Sequence, residues 1–87
     1  TIETAYSILN GEYEVIEAEI IETSELINKE LKETNLPEEI RIGAILRGED
    51  IIIPRSNFIF QKDDTVVFLA KNDQIQIVEN MFRISAI

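Results

Sequence analysis

Cysteine and histidine are both absent from this sequence of 87 residues, and each absence removes a class of chemistry. Without histidine the commonest general base is missing, and without either residue no Ser-His or Cys-His nucleophile pair can form. Zinc sites built from Cys and His ligands are excluded for the same reason. The lack of cysteine also rules out a disulfide framework, which fits a reducing compartment.

Glycine and basic residues are scarce. The three glycines, Gly11, Gly43 and Gly48, are too far apart to form a glycine-rich phosphate cradle. Eight basic residues stand against 17 acidic ones, which gives a formal net charge of −9. Such a surface repels phosphate backbones and anionic lipid headgroups, so we expect no nucleic-acid partner and no direct membrane insertion. No apolar run approaches the ~18 residues that a membrane span needs.

The apolar residues, 45% of the chain, predict a small α+β fold. Their alternation favours strands over residues 13–21, 40–47, 51–53 and 65–70, with a brief extended piece at 58–60. A short helix is predicted from Thr23-Ser24 to about Thr34, and a second helix covers about 73–82. We therefore predict a β-α-β-β-β-α sandwich, in which a mostly antiparallel sheet packs against two helices.

A short connector helix is predicted before this domain. Its apolar residues share one helical stripe, namely Ile2, Ala5, Tyr6 and Leu9. Asn10-Gly11 would end the helix, because both residues tolerate the left-handed conformation. Since the sequence does not start with Met, we expect a fragment of a longer protein. Residues 1–12 would then connect to an upstream domain, and residues 13–87 would form one folded domain.

The predicted middle hairpin carries more apolar surface than one small sheet can hide. Strict alternation along residues 40–47 places Ile45 on the same face as Arg41 and Arg47. A run of three isoleucines follows the turn at Gly48. Surplus apolar surface marks an interface, so the candidate contacts of a homodimer are Ile45, Ile51, Ile52 and Ile53.

Three of the eight basic residues lie in or beside the same hairpin, namely Arg41, Arg47 and Arg55. These guanidinium groups could bind an anion or a carboxylate of a second subunit. The alternative is local pairing with the abundant acidic residues, which is common on protein surfaces.

Adjacent acidic residues offer the remaining candidates for chemistry. Glu38-Glu39 and Asp63-Asp64 lie in predicted turns, and Glu17 and Glu19 share one face of the first strand. Such groups could hold a hard cation or act as the acid and base of a small hydrolase. These acidic residues are explained more simply by solvated turns and by the solvent-exposed face of an edge strand. We therefore predict no metal site, no catalytic residue and no enzyme.

Several segments resemble the TrkA C-terminal domain, also called the RCK C-terminal domain. The most specific stretch comprises Leu36-Pro37, Arg41 to Gly48 and Ile51 to Pro54. Asp64 before Val66-Val67-Phe68 and the closing Val78 to Phe82 look like that family's acid-then-apolar strand and last helix. Upstream, Ala5 to Leu9, Gly11 and Glu14 to Glu17 are similar to the junction that leads into the domain. The resemblance covers about residues 3–82.

The resemblance implies properties that the residues alone do not. Such domains form homodimers, usually follow a Rossmann-type nucleotide-binding domain, and have a ligand pocket in the cleft between two subunits. Arg41 and Ile42 match the edge of that pocket by position, and Arg47 and Arg55 complete the candidate ligand-binding set. Some branches bind a cyclic dinucleotide there. The corresponding turn at Glu38-Glu39 is acidic in this sequence, which disfavours a diphosphate ligand.

From the resemblance we expect a non-catalytic, ligand-sensing regulatory domain of a Trk-type potassium uptake system. It would act through homodimerisation, with a membrane pore subunit as its partner, in the cytoplasm and peripheral to the inner face of the membrane. No cofactor is expected in this fragment, and a nucleotide of the NAD or ATP type would bind the upstream domain. The alternative is that the same module regulates a different cation or anion transporter or antiporter.

Overall fold

A computed structural model of the chain describes the backbone of residues 2–82 and the side chains of residues 6–81. Its strands are β1 (Ile2–Ile8), β2 (Tyr13–Glu19), β3 (Ile40–Arg47), β4 (Asp50–Ile52) and β5 (Thr65–Lys71). One α-helix, α1 (Ile75–Phe82), and three single-turn 3₁₀ helices (Leu9–Gly11, Leu31–Glu33 and Asn72–Gln74) complete the elements of this part of the chain.

The strands form an antiparallel sheet in the order β1-β2-β5-β3-β4. The predicted α+β class with an antiparallel sheet is confirmed. The nearly apolar strand β5 lies at the centre of the sheet, between β2 and β3. The strand predicted to end at Ile53 is Asp50–Ile52, so Ile53 lies just outside the ladder.

The helix predicted over residues 1–10 is wrong, because Ile2–Ile8 forms the edge strand β1. An isolated helix this short is marginal in water, whereas pairing with β2 satisfies the backbone groups of the segment. Asn10 and Gly11 do adopt the left-handed conformation, with φ of 57° and 87°. They turn the chain between two strands instead of ending a helix. The role of residues 1–12 as a connector stays a prediction.

The helix predicted from residue 23 to residue 34 is reduced to turns and the 3₁₀ helix Leu31–Glu33. Its backbone pairs with the extended piece at 58–60 instead. The N–H of Asn28 donates to the carbonyl of Phe60 at 2.9 Å, and the N–H of Leu31 donates to that of Phe58 at 2.8 Å. Asn28 has a φ of 66°, which a continuous α-helix does not admit. This region therefore contributes no second α-helix to the sandwich.

The two faces of the sheet differ in what covers them. The inner face is covered by α1 and by the turns of residues 20–36, and it carries the core. The fully or nearly fully buried apolar residues are Ile16, Ala18, Ile20, Leu26, Ile40, Ile45, Phe60, Val66, Phe68, Ala70 and Val78. The outer face, defined by the strand register, consists of Tyr6, Ile8, Tyr13, Val15, Glu17, Glu19, Arg41, Ala44, Leu46, Ile51, Thr65, Val67, Leu69 and Lys71.

An irregularity at Gly43 decides which residues of β3 face inward. Ile42 pairs with Phe68 and Ala44 pairs with Val67, so Gly43 has no partner position on β5. An unpaired residue of this kind reverses the alternation of the side chains beyond it. Ile45 is therefore buried on the inner face at 0% exposure, and Arg47 follows it there. Strict alternation, which placed both on one face with Arg41, is wrong for this strand.

Candidate functional site

Arg47 and Asp64 form the best-connected polar pair of the described residues. Nε of Arg47 donates to Oδ1 of Asp64 and Nη2 donates to Oδ2, each at 2.8 Å. Asp64 is 1% exposed, and its Oδ2 also accepts the N–H of Gln61 at 2.9 Å. The hydrogen bond and the negative charge of Asp64 raise the pKa of Arg47, with burial acting in the opposite direction. The pair is thus a closed structural link.

Arg47 also holds the loop that precedes β5. Its Nη2 donates to the carbonyl of Ile59 at 3.0 Å, and its guanidinium lies 4.9 Å from the ring centroid of Phe58. The three hydrogen bonds of the guanidinium, to Asp64 and Ile59, all end on this one loop. Arg47 was a candidate ligand-binding residue. Its guanidinium pairs with groups of its own domain, which agrees with the alternative of local pairing.

The other candidate ligand residues lie apart from Arg47. Arg41 is exposed on the outer face near the beginning of β3, and the neighbouring Ile42 is half-buried on the inner face. Arg55 is exposed after Pro54, beyond the end of β4. The structure keeps Arg41 and Ile42 together and separates them from Arg47 and Arg55. No contact in the described residues joins the four into one site.

Arg41 and Ile42 border an open groove of about 390 Å³. Its walls come from the free edge of β3 and from the segment that follows the 3₁₀ helix, with Leu31, Lys32, Leu36 and Ile40 among the lining residues. Lys32 and Arg41 are exposed, so the groove combines an apolar floor with two cationic rims. Sequence reasoning missed Lys32, because the helix expected there gave no reason to place it beside Arg41.

The candidate interface residues separate as well. Ile51 and Ile53 are each 73% exposed, Ile52 is half-buried, and Ile45 is buried in the core. The expectation that these residues are exposed is therefore wrong for Ile45. Ile51 and Ile53 are exposed, as expected. Their role in a homodimer stays a prediction.

The acidic pairs do not converge on a metal or catalytic centre. Glu38 and Glu39 are exposed in a turn, and Asp63 is exposed with a φ of 72° while Asp64 points inward to Arg47. In the described part of the chain, no group of three or more acidic, His or Cys side chains is placed to hold a metal ion. Nor does any helix of that part have the length and apolar character to cross a membrane.

The order of the strands, the core on the inner face and the Arg47–Asp64 pair define a small antiparallel α+β domain. The family model of the TrkA-C domain matches residues 15–83, and the chain belongs to this family. The resemblance inferred from the residues is confirmed.

Named relatives extend this result. The chain is 38% identical over 84 residues to the Trk system potassium uptake protein TrkA of Azorhizobium caulinodans, covering 97% of the chain and 18% of that protein. It is 36% identical over 64 residues to a TrkA homolog of Archaeoglobus fulgidus, covering 74% of the chain and 15% of the relative. The chain thus spans less than a fifth of the length of these two relatives.

Proposed function

We propose that this chain is a non-catalytic regulatory domain of a potassium uptake system. The observation that carries the proposal is its membership of the TrkA-C family over residues 15–83, together with relatives that are named Trk system potassium uptake proteins. The lack of histidine and cysteine supports a non-catalytic role, because the usual nucleophile and base pairs cannot form.

The regulatory work would come from two copies of the domain that change their relative orientation. A ligand shifts such an equilibrium only by the difference in its affinity for the two arrangements. An upstream nucleotide-binding domain, with NAD or ATP as its type of ligand, would carry the change to a membrane pore subunit. This arrangement places the domain in the cytoplasm, peripheral to the inner face of the membrane.

The groove beside Arg41 is the ligand site that the geometry favours. Its apolar floor and the cations of Lys32 and Arg41 suit a small anion with an apolar body. The exposed acids Glu38 and Glu39 follow Leu36 closely in the chain, so a multiply charged phosphate ligand would meet repulsion there. Arg47 lies apart from this groove, and its hydrogen bonds go to Asp64 and Ile59.

Potassium uptake in cells tests the proposal directly. The change Lys32→Glu, made in the gene that carries this sequence, reverses one exposed charge at the rim of the groove without touching the core. We expect slower potassium uptake and slower growth at limiting potassium, at an unchanged level of the protein. The matched control is Lys62→Glu, which reverses an exposed charge in the turn before Asp63 and should leave uptake unchanged.

The same cells decide between the proposed function and the alternative of another transporter. If Lys32→Glu leaves potassium uptake unchanged but alters the flux of a different cation or anion, the module regulates that transporter instead. If no ion flux responds to Lys32→Glu or to removal of the whole domain, the regulatory role itself is wrong.

A further inference from the structure

The outer face of the sheet is apolar at its centre and is not part of the core. Val15, Val67, Leu69, Ala44 and Leu46 form a continuous patch across β2, β5 and β3. None of these five belongs to the residues that make up the core or pack against it. Exposed aromatic and aliphatic side chains border the patch, with Tyr6 at 63% and Ile51 at 73% exposure. An apolar patch of this extent on a small protein marks an interaction site.

The charge of the outer face differs from that of the chain. The face carries two acids, Glu17 and Glu19, and two bases, Arg41 and Lys71, so it is formally neutral. The whole chain has a net charge of −9. Two copies of so acidic a chain repel each other over most approaches, and this face lets them meet without that penalty.

The arrangement of the charges favours a copy of the same chain as the occupant. Arg41 lies on β3 and Glu17 lies on β2, on opposite sides of the central strand β5. Neither side chain has an ion-pair partner among the described residues. A two-fold axis along β5 in the plane of the contact exchanges the two sides, and an interface of this symmetry is self-complementary. Arg41 pairs with Leu69 and Glu17 pairs with Val67, so each Arg41 then lies about 7 Å along the strand direction from the Glu17 of the other copy, within reach of its long side chain.

We propose that the outer face of the sheet is covered by the same face of a second copy of this chain, with Arg41 of each copy beside Glu17 of the other. This inference rests on the pairing of domains in the proposed function and assigns the surface that performs it. It takes the place of the homodimer contact expected on the middle hairpin. In that hairpin, Ile45 is buried and Ile51 lies at the border of the outer face.

The size of the face predicts reversible pairing. Four strands about 4.8 Å apart and about seven residues long, at about 3.3 Å per residue, give a face of roughly 20 by 23 Å. Two such faces bury on the order of 1,000 Å² in total, which is the lower range of specific interfaces. Such a contact forms and separates readily, as a domain that changes its relative orientation requires. Two sheets packed in this way lie about 10 Å apart.

Sedimentation velocity of the chain, without added ligand, tests the assignment. The change Leu69→Lys places a cation at the centre of the apolar patch, and we expect the dissociation constant of the dimer to rise at least about tenfold. The matched control is Ile77→Lys, which alters an exposed isoleucine of α1 on the other side of the domain. It should change the constant by less than about twofold. Thermal unfolding by circular dichroism confirms that each variant is folded.

A charge exchange tests the contact between the two copies independently of the patch. Arg41→Glu and Glu17→Arg should each weaken pairing several-fold, since each brings like charges together across the interface. The double variant should recover most of the affinity of the unchanged chain. Recovery of this kind requires that the two residues meet, because two unrelated losses would accumulate.

The remaining outcomes separate this inference from the proposed function. If the unchanged chain stays monomeric up to about 1 mM, domain pairing fails and the mechanism of the proposed function fails with it. If the dimer tolerates Leu69→Lys but is weakened by Ile53→Lys, the hairpin edge forms the contact. The outer-face assignment is then overturned while the proposed function stands. The same holds if the charge exchange gives no recovery in a chain that forms dimers.

Discussion

The guanidinium of Arg47 and the carboxylate of Asp64 face each other through two parallel hydrogen bonds of 2.8 Å, although the two residues are 17 positions apart in sequence. A bidentate pair of this geometry is among the stronger polar contacts in proteins. It joins the end of β3 to the loop before β5.

Removal of Arg47 should destabilise the domain strongly. Arg47→Ala leaves the carboxylate of Asp64 buried without its cation, and we expect a loss of about 3 kcal/mol in the free energy of unfolding. This loss is at the low end of the range for breaking a buried ion pair, because the side chain of Arg47 is 33% exposed. Urea unfolding measures the loss. The double variant Arg47→Met with Asp64→Leu should lose less than Arg47→Ala, and a larger loss would contradict the argument.

The pair should respond to alkaline pH in a defined direction. The hydrogen bond of Asp64 raises the pKa of Arg47 in the folded state. The stability it contributes is therefore complete below the pKa of arginine in the unfolded chain and is lost only as the pH rises through the still higher folded value. Arginine stays protonated in both states at ordinary pH, so the contribution is constant between pH 6 and 10.

Arg47→Lys brings this loss into an accessible range, because lysine titrates near 10.4. We expect the difference in unfolding free energy between Arg47→Lys and the unchanged chain to widen above about pH 10. A difference that stays constant up to pH 11 would show that the charge at position 47 does not matter.

Gly43 is expected to tolerate both substitution and removal. A Cβ at this position would lie 3.6 Å from the carbonyl oxygen of Val67, an ordinary contact. Gly43→Ala should therefore change the unfolding free energy by no more than about 1 kcal/mol. Deletion of Gly43 removes the unpaired residue, so that Ala44 follows Ile42 directly. Ile45 and Arg47 then still face inward, and the variant should fold. Circular dichroism and urea unfolding compare the two variants.

Ile45 and Ile51 should differ sharply in their contribution to stability. Ile45 is 0% exposed and Ile51 is 73% exposed, although they stand six residues apart in one hairpin. Ile45→Ala should cost about 2 to 4 kcal/mol, because it opens a cavity in the core. Ile51→Ala should stay within about 0.5 kcal/mol. Equal losses would mean that Ile51 is also buried within a single copy.

The sequence predicted four of the five strands and the final helix, because alternation and helical spacing are local properties. It did not predict β1, whose apolar spacing fits a helix until the pairing with β2 is known. It also missed the turns at residues 23–34, since their hydrogen bonds go to a segment about 30 residues further along the chain. Long-range pairing of this kind leaves no periodic signal.

The candidate site was predicted less well than the fold. A single unpaired residue in β3 reversed the direction of Ile45 and Arg47, and alternation alone carries no sign of it. Arg47 ends one strand and Asp64 directly precedes another, and these opposite charges at strand ends could have suggested the two residues as partners. Lys32 could be found only from the structure, because the fold brings it to the groove beside Arg41.

The central position of β5 has a consequence for how the domain opens. Both edges of this strand are paired, with β2 and with β3, and three of its seven side chains are fully or nearly fully buried. Its amide hydrogens therefore exchange with solvent only when the whole domain unfolds, whereas those of the short edge strand β4 escape through local fraying. The rate of hydrogen exchange along β5 reports global stability.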